Sequence, residues 1–305
     1  MKTESLAPSH RGLTPGLVFD LFKLRIGFAI ALTALAGAAV APGSAAASAV
    51  AVMALAVLVA SAAAGAFNQY VEADLDRRMQ RTRARAFATG RLSHHRGWPA
   101  FIAGMVGAAT MAAAWLVNPA CALYTFLGAF FYGVVYTVWL KRRTAMNIVV
   151  GGLAGSFAVL AGAAAVSPAA ALAPLPLAFA TILFFWTPPH FWSLAIVYRE
   201  DYERAGVPML PVVCGDARAA RVVFSSAVLL AGSSLVPLAF GMGAIYAVGA
   251  IAGGIYFVRA AARLARTAGA GATRERIRQA ARSSFHASLA QLALLLVAAI
   301  ADRLA

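Results

Sequence analysis

Long apolar runs dominate this chain, and they recur. A helix crossing the hydrocarbon core of a bilayer needs roughly 20 largely apolar residues. The sequence supplies nine such runs, near 17–41, 48–70, 98–117, 120–140, 147–166, 174–198, 221–241, 243–264 and 284–301. Pro42-Gly43, Asn118-Pro119, Ser167-Pro168 and Gly241 to Gly243 punctuate them as turns. The runs are unbroken rather than alternating, which argues against a membrane barrel. Of the 305 residues, 62% are hydrophobic and 12% charged, about half the roughly 25% charged share of a soluble domain. A soluble globule of this composition would leave too much apolar surface in water. A disordered chain and a disulfide-stapled secreted domain are excluded as well. The expected fold class is all-α, a polytopic membrane protein of nine transmembrane helices. Residues 1–16 are expected to form a cytoplasmic amino-terminal segment, and 17–305 one membrane domain.

The net charge of +15 matters less than where the charges stand. Of the 26 Lys and Arg, four precede or begin the first run (Lys2, Arg11, Lys23, Arg25). Seven lie between runs 2 and 3, three between 4 and 5, four between 6 and 7, seven between 8 and 9, and Arg303 closes the chain. The other loops carry none. Positive loops stay in the cytoplasm, so the pattern predicts a cytoplasmic amino terminus and an outer carboxy terminus; the membrane itself is expected to be a bacterial inner membrane. It also accounts for the net charge without a nucleic-acid partner. The positive loops are long and the others short, so chemistry is expected at the cytoplasmic face. Ala45-Ala46-Ala47 imitates a signal-peptidase site, but the apolar stretch before it is long for a signal peptide and reads as the first span. Cys121 falls near the outer end of one span and Cys214 in a loop on the inner side, too far apart for a disulfide, so both are expected to be free thiols.

Asn68, Glu72 and Asp76 recur every four residues at the end of the second run. On a helix that spacing places them on one face, with Asp74 pointing away. Polar groups in a membrane helix are costly and turn toward a protein cavity. One amide and two carboxylates make an oxygen-rich site that suits Mg²⁺, which keeps several waters and bridges to phosphates. Arg77, Arg78, Arg81, Arg83, Arg85 and Arg91 follow at once. Guanidinium groups beside carboxylates suit a metal-bound polyanion such as a diphosphate. For the more distant Arg residues, a cytoplasmic loop with i+4 ion pairs is the favoured explanation.

The sixth run carries Trp186-Thr187-Pro188-Pro189-His190-Phe191-Trp192. A Pro pair removes backbone donors and is expected to kink or break the helix. Beyond it, Asp201 is the best second acid, with Arg199 nearby, and a regular helix would put His190 and Asp201 on nearly the same face. His190 reads as an acid or base, a ligand contact or a satisfied polar group. Asp216 reads as the cap of the seventh span. The aromatic residues around 184–192 suit either a large flat substrate or ordinary packing.

Three segments together resemble the UbiA superfamily of intramembrane prenyltransferases, and within it the haem O synthase branch, the protoheme IX farnesyltransferases. The first is Asn68-x3-Glu72-x3-Asp76-x2-Met79-x-Arg81-Thr82. The second is Leu140-Lys141-Arg142-Arg143-Thr144 with Asn147-Ile148-Val149-Val150-Gly151-Gly152. The third is Trp186-x-Pro188-Pro189-His190 followed by Asp201-Tyr202-x2-Ala205-Gly206-Val207-Pro208-Met209-Leu210-Pro211. Departures are Glu72 where Asp is usual, Leu24 between Lys23 and Arg25 where Pro is common, and Ala86 after Arg85 where Pro is common.

The resemblance implies a bundle whose central cavity opens toward the cytoplasm. It implies farnesyl transfer from farnesyl diphosphate to a vinyl group of haem b with addition of water, giving haem O. On it, Asn68, Glu72, Asp76 and Asp201 hold Mg²⁺ on the diphosphate. Arg81, Lys141, Arg142 and Arg199 are the candidates for stabilising the leaving group. Tyr136, Tyr198 and Tyr202 are candidate cation stabilisers, and His190 is the first candidate to contact haem, which is a substrate and not a prosthetic group. The lipid bilayer is the surroundings, and a haem A synthase, an oxidase-assembly factor or a second copy of the chain are partners to look for. Two other readings share part of the pattern. One is a UbiA-type enzyme with a quinone precursor or lipid as acceptor; the other is a secondary transporter.

Overall fold

The computed structural model describes residues 14–305, so Lys2, Arg11 and most of the expected amino-terminal segment lie outside the described residues. Thirteen α-helices follow one another: α1 (Pro15–Leu21), α2 (Leu24–Val40), α3 (Ala47–Val71), α4 (Ala73–Arg78), α5 (Gly97–Leu116), α6 (Pro119–Phe130), α7 (Asn147–Gly151), α8 (Leu153–Val166), α9 (Pro174–Val197), α10 (Arg199–Arg204), α11 (Leu210–Ser233), α12 (Ala244–Gly269) and α13 (Arg274–Leu304). No strand occurs among the described residues. Eight stretches are long and apolar enough to cross a membrane, with α6, α7 and α11 each counted together with its helical continuation, and α2 is a shorter apolar helix of 17 residues. The all-α membrane bundle read from the sequence is therefore the fold, and its runs of apolar residues are the spans.

The structure redraws several boundaries. The first run is two helices, because Lys23 adopts a left-handed backbone (φ 49, ψ 43) between α1 and α2. The ninth begins at Arg274 rather than near 284. Its first turns are rich in Arg, Glu, Gln and Ala, which form helices well while escaping a hydropathy criterion. The helix of the seventh run begins at Leu210 and changes direction at Gly215 (φ 77). Asp216 does not cap it; its carboxylate accepts from Arg274 at 3.2 Å. The Pro pair does not break α9, which continues through Pro188 and Pro189 to Val197. Hydroxyls of Thr187 and Ser193 hold the carbonyls of Leu183 and Pro189 on either side. Both cysteines are free, as expected.

Small residues bring the helices together. α2 packs on α8 through Gly37 and Gly162, where an added Cβ would run into the backbone of Val159 and Ala34 respectively. Close backbone approach of this kind is how helices gain packing contacts where lipid offers no hydrophobic drive. α9 lies inside the bundle, covered by α8, α11 and α13, and α6 continues as a π-helical stretch, Phe131–Leu140. The wide turns of that stretch present Tyr132, Tyr136 and Thr137 toward α3, where the polar residues collect.

Candidate active site

Two joints of similar build place the acids. α3 ends at Val71, the chain bends at Glu72 (φ −95, ψ 11), and α4 follows with Asp74 and Asp76 in its first turn. α9 ends at Val197, the chain bends at Tyr198 (φ −112, ψ 30), and α10 follows with Glu200 and Asp201 in its first turn. Asn68, Glu72, Asp76 and Asp201 are all buried, with 5% exposure or less. Asp74 faces out, as its spacing requires. The bend at Tyr198 means that His190 and Asp201 do not share one regular helix face.

Each of these four side chains has at least one oxygen that faces a cation or an amide. Lys141 Nζ donates to Glu72 Oε2 at 2.6 Å. Arg85 donates from one nitrogen to both oxygens of Asp76, at 2.9 and 3.0 Å. The backbone N–H of Arg81 donates to Asp201 at 3.0 Å, and Arg204 pairs with the same carboxylate. Lys23 Nζ donates to Asn68 Oδ1 at 2.5 Å and to the Tyr132 hydroxyl at 2.9 Å, while Asn68 Nδ2 donates to Thr137 at 3.1 Å. The Arg81 guanidinium donates to the Tyr202 hydroxyl at 3.2 Å and lies over the rings of Tyr198 (4.9 Å) and Tyr202 (5.6 Å). Burial alone would lower its pKa, but the Tyr202 hydroxyl holds it above the usual arginine value. Buried charges are tolerated only in such compensated sets. A cluster of this kind can exchange its internal partners for an anionic ligand without stranding a charge.

The structure thus brings together Asn68, Glu72, Asp76, Arg81, Lys141, Tyr136 and, through Arg81, Asp201, Tyr198 and Tyr202. It does not bring in two of the expected cations. Arg142 makes a two-pronged pair with Asp74, at 2.8 and 3.1 Å, on the exposed side of α4. Arg199 points to Asp216, at 3.6 Å. His190 lies further up α9, against α13. Lys23, Arg85, Tyr132, Thr137 and Arg204 belong to the cluster and escaped the sequence reading. Lys23 had one signal, a charge set within an apolar run. Arg85 was hidden among loop arginines, and nothing local marks Tyr132 or Thr137. A cavity of about 280 Å³ opens beside the cluster, lined by Arg81, Tyr198, Asp201, Arg204 and Arg278 among others.

Among the described residues, no three His, Cys, Asp or Glu side chains stand close enough to cage a metal ion. The donors nevertheless suit one class of cation. They are oxygens, split between the two joints, and Glu72 Oε1 is buried without any partner. A hard cation that keeps waters and completes its shell with ligand phosphates needs only one or two carboxylates on each side.

Protoheme IX farnesyltransferase 2 of Paramagnetospirillum magneticum is 50% identical over 286 residues, covering 93% of this chain and 96% of that protein. Protoheme IX farnesyltransferase 1 of the same organism is 42% identical, covering 93% of this chain and 97% of that protein. Among solved structures, a UbiA homolog from Archaeoglobus fulgidus bound to DMAPP and Mg²⁺ shares the fold, with a TM-score of 0.70 at 16% identity over 91% of this chain and 98% of that one. An apo UbiA homolog from Aeropyrum pernix K1 does so as well, with a TM-score of 0.70 at 19% identity over 90% of this chain and 98% of that one. The model of the UbiA prenyltransferase family matches residues 30–299, and with its two acid-bearing joints inside a membrane bundle this chain is a member of that family, an intramembrane prenyltransferase.

Proposed function

We propose that this enzyme transfers the farnesyl group of farnesyl diphosphate to a vinyl group of haem b, with addition of water, to give haem O. The observation that carries the reading is the buried cluster of carboxylates and cations around Asp76 and Asp201, in a chain half identical to a protein named protoheme IX farnesyltransferase. Asn68, Glu72, Asp76 and Asp201 would hold Mg²⁺, which when bound neutralises diphosphate oxygens and eases departure of the leaving group.

The chain's own residues do the rest. Lys23, Arg81, Arg85 and Lys141 are fixed donors aimed at the region where the diphosphate acquires charge as its bond to farnesyl C1 breaks. The aromatic faces of Tyr136, Tyr198 and Tyr202 line the same region and favour the allylic cation. The apolar bundle keeps stray water from that cation. The vinyl group then adds to farnesyl C1, water captures the cation left next to the macrocycle, and one proton is released. No nucleophile from the protein is needed. Arg142 and Arg199 act outside this step, tying α4 and α10 to their surroundings.

The reading places the cluster on the cytoplasmic side, with the amino terminus on that side and the carboxy terminus outside. A haem A synthase or oxidase-assembly factor as partner, and a homo-oligomer, remain proposals of the same reading.

The test is incubation of the purified protein with farnesyl diphosphate, haem b and Mg²⁺, followed by extraction and mass spectrometry of the haem. A haem heavier by one farnesyl group and one hydroxyl supports the proposal. Mg²⁺-dependent diphosphate release with unchanged haem overturns the acceptor and points to a quinone precursor or lipid. Folded protein that releases no diphosphate overturns the reaction, and transport becomes the reading to pursue.

A further inference from the structure

His190 sits on α9 in a slot completed by α13. Its ring stacks on Trp186, with centroids 4.1 Å apart and planes 19° from parallel, and on Phe285, at 4.6 Å and 28°. Trp186 is itself pinned to α13 by its Nε1, which donates to the Ser288 carbonyl at 2.9 Å. The ring is therefore held in orientation as well as in place.

Its protons can be assigned from its neighbours. His190 Nδ1 lies 2.7 Å from Ser288 Oγ. Ser288 Oγ also donates to the Phe285 carbonyl at 2.6 Å. A serine hydroxyl has one proton, and a carbonyl can only accept. With that proton committed to Phe285, Ser288 offers His190 only a lone pair. Nδ1 must carry the proton and donate it. In a neutral imidazole the other nitrogen is then bare. His190 Nε2 has no hydrogen-bond partner among the described residues and is not among the buried atoms sealed from solvent. The residue keeps 7% of its surface exposed.

A histidine that donates from one nitrogen to a protein oxygen and presents the other bare is built like a metal ligand. A free ion would find no cage here, since no three ligating side chains cluster among the described residues. A metal inside a macrocycle is different. It brings four nitrogens of its own, and one histidine suffices to hold it. His190 also stands eleven residues before Asp201, at most about 16 Å along a helix. A tetrapyrrole held at His190 would span part of that distance.

We infer that His190 Nε2 is the axial ligand of the acceptor's iron, and that Ser288 is a positioning residue that fixes the imidazole in the ligating tautomer. The inference rests on haem being the acceptor. It adds an anchor that fixes the height and tilt of the macrocycle relative to the diphosphate cluster.

The test is resonance Raman spectroscopy of the purified full chain with ferrous haem b, read at the iron–imidazole stretch. The wild type should show that band. His190→Gly should lose it, and added imidazole should restore it. Ser288→Ala should shift the band to lower frequency, because the Nδ1–H hydrogen bond that strengthens the iron–nitrogen bond is lost, and should weaken haem binding about tenfold or more. Ser288→Thr should keep both near wild type. Retained Mg²⁺-dependent binding of farnesyl diphosphate shows that each variant is folded. A band that persists in His190→Gly without imidazole overturns the ligation, and an unshifted band in Ser288→Ala overturns the role of Ser288. Wild-type protein that farnesylates haem but shows no band overturns this inference alone, whereas wild-type protein that takes up no haem overturns the acceptor as well.

Discussion

Lys23 and Asn68 meet at 2.5 Å, ammonium to amide oxygen, although 45 residues separate them. The contact exists because Lys23 takes a left-handed backbone between α1 and α2. A non-glycine residue there carries strain and persists only when its surroundings hold it. Lys23→Met should lower prenyl transfer by tenfold or more while leaving the protein inserted, and Lys23→Arg should recover only part of it. Steady-state rates of diphosphate release check this, and a fully active Lys23→Met would remove Lys23 from the site.

Asp76→Asn and Asp201→Asn should each abolish transfer. Both carboxylates are buried; Asp76 is matched by the Arg85 guanidinium, and Asp201 by the Arg81 backbone N–H and the half-exposed Arg204, so each substitution removes a charged metal-ligand candidate, and Asp76→Asn also leaves Arg85 without its partner. The protein should still insert, judged by membrane fractionation. Full activity in both variants would undo the assignment.

Arg85→Ala and Arg142→Ala separate a buried pair from an exposed one. Losing one partner of a buried pair costs about 3–5 kcal/mol, whereas an exposed pair is worth about 0.2–1 kcal/mol. Arg85→Ala should therefore cripple both stability and turnover. Arg142→Ala should leave thermal unfolding and rates within about twofold of wild type.

The Asp74–Arg142 pair also has a definite pH dependence. Burial alone would raise the Asp74 carboxyl, but the hydrogen bond and charge of Arg142 hold it below its ordinary value. A depressed acid contributes fully above its unfolded pKa of about 3.9 and loses that contribution as pH falls through the lower folded value. Stability should thus be insensitive to this pair across neutral pH. Comparing the acid unfolding of wild type and Arg142→Ala checks it; a difference that appears only near pH 7 would contradict it.

Gly162→Val should reduce the yield of folded protein sharply. A Cβ at Gly162 already meets the Ala34 backbone of α2, and overpacking of this kind typically costs about 1–3 kcal/mol. Detergent size-exclusion profiles would show the loss, and a normal profile would mean that α2 and α8 can part.

Removal of divalent metal should stop diphosphate release, and Mg²⁺ should restore it. Oxygen donors split over two joints, with Glu72 Oε1 unpartnered, suit a cation that shares its shell with the substrate. Activity unchanged by a chelator would contradict this.

Sequence alone determined the membrane class, the spans and the polar face of α3, because each follows from local chemistry: apolar length, the placement of Lys and Arg, and four-residue spacing. Asn68, Glu72 and Asp76 were legible for that reason, and Asp201 because it follows an apolar run in an acid- and Arg-rich segment. Tertiary structure decided which cations those acids face. Lys23, Arg85, Tyr132 and Thr137 reach the site through a left-handed residue, a folded loop and a π-helical stretch, none of which periodicity reports. It also turned Arg142 and Arg199 away, since each had a nearer carboxylate in Asp74 or Asp216. The partner of the His190 ring was decided the same way, a serine 98 residues distant. Spacing along one helix fixes what shares a face, but the partner across a gap depends on how separate helices pack.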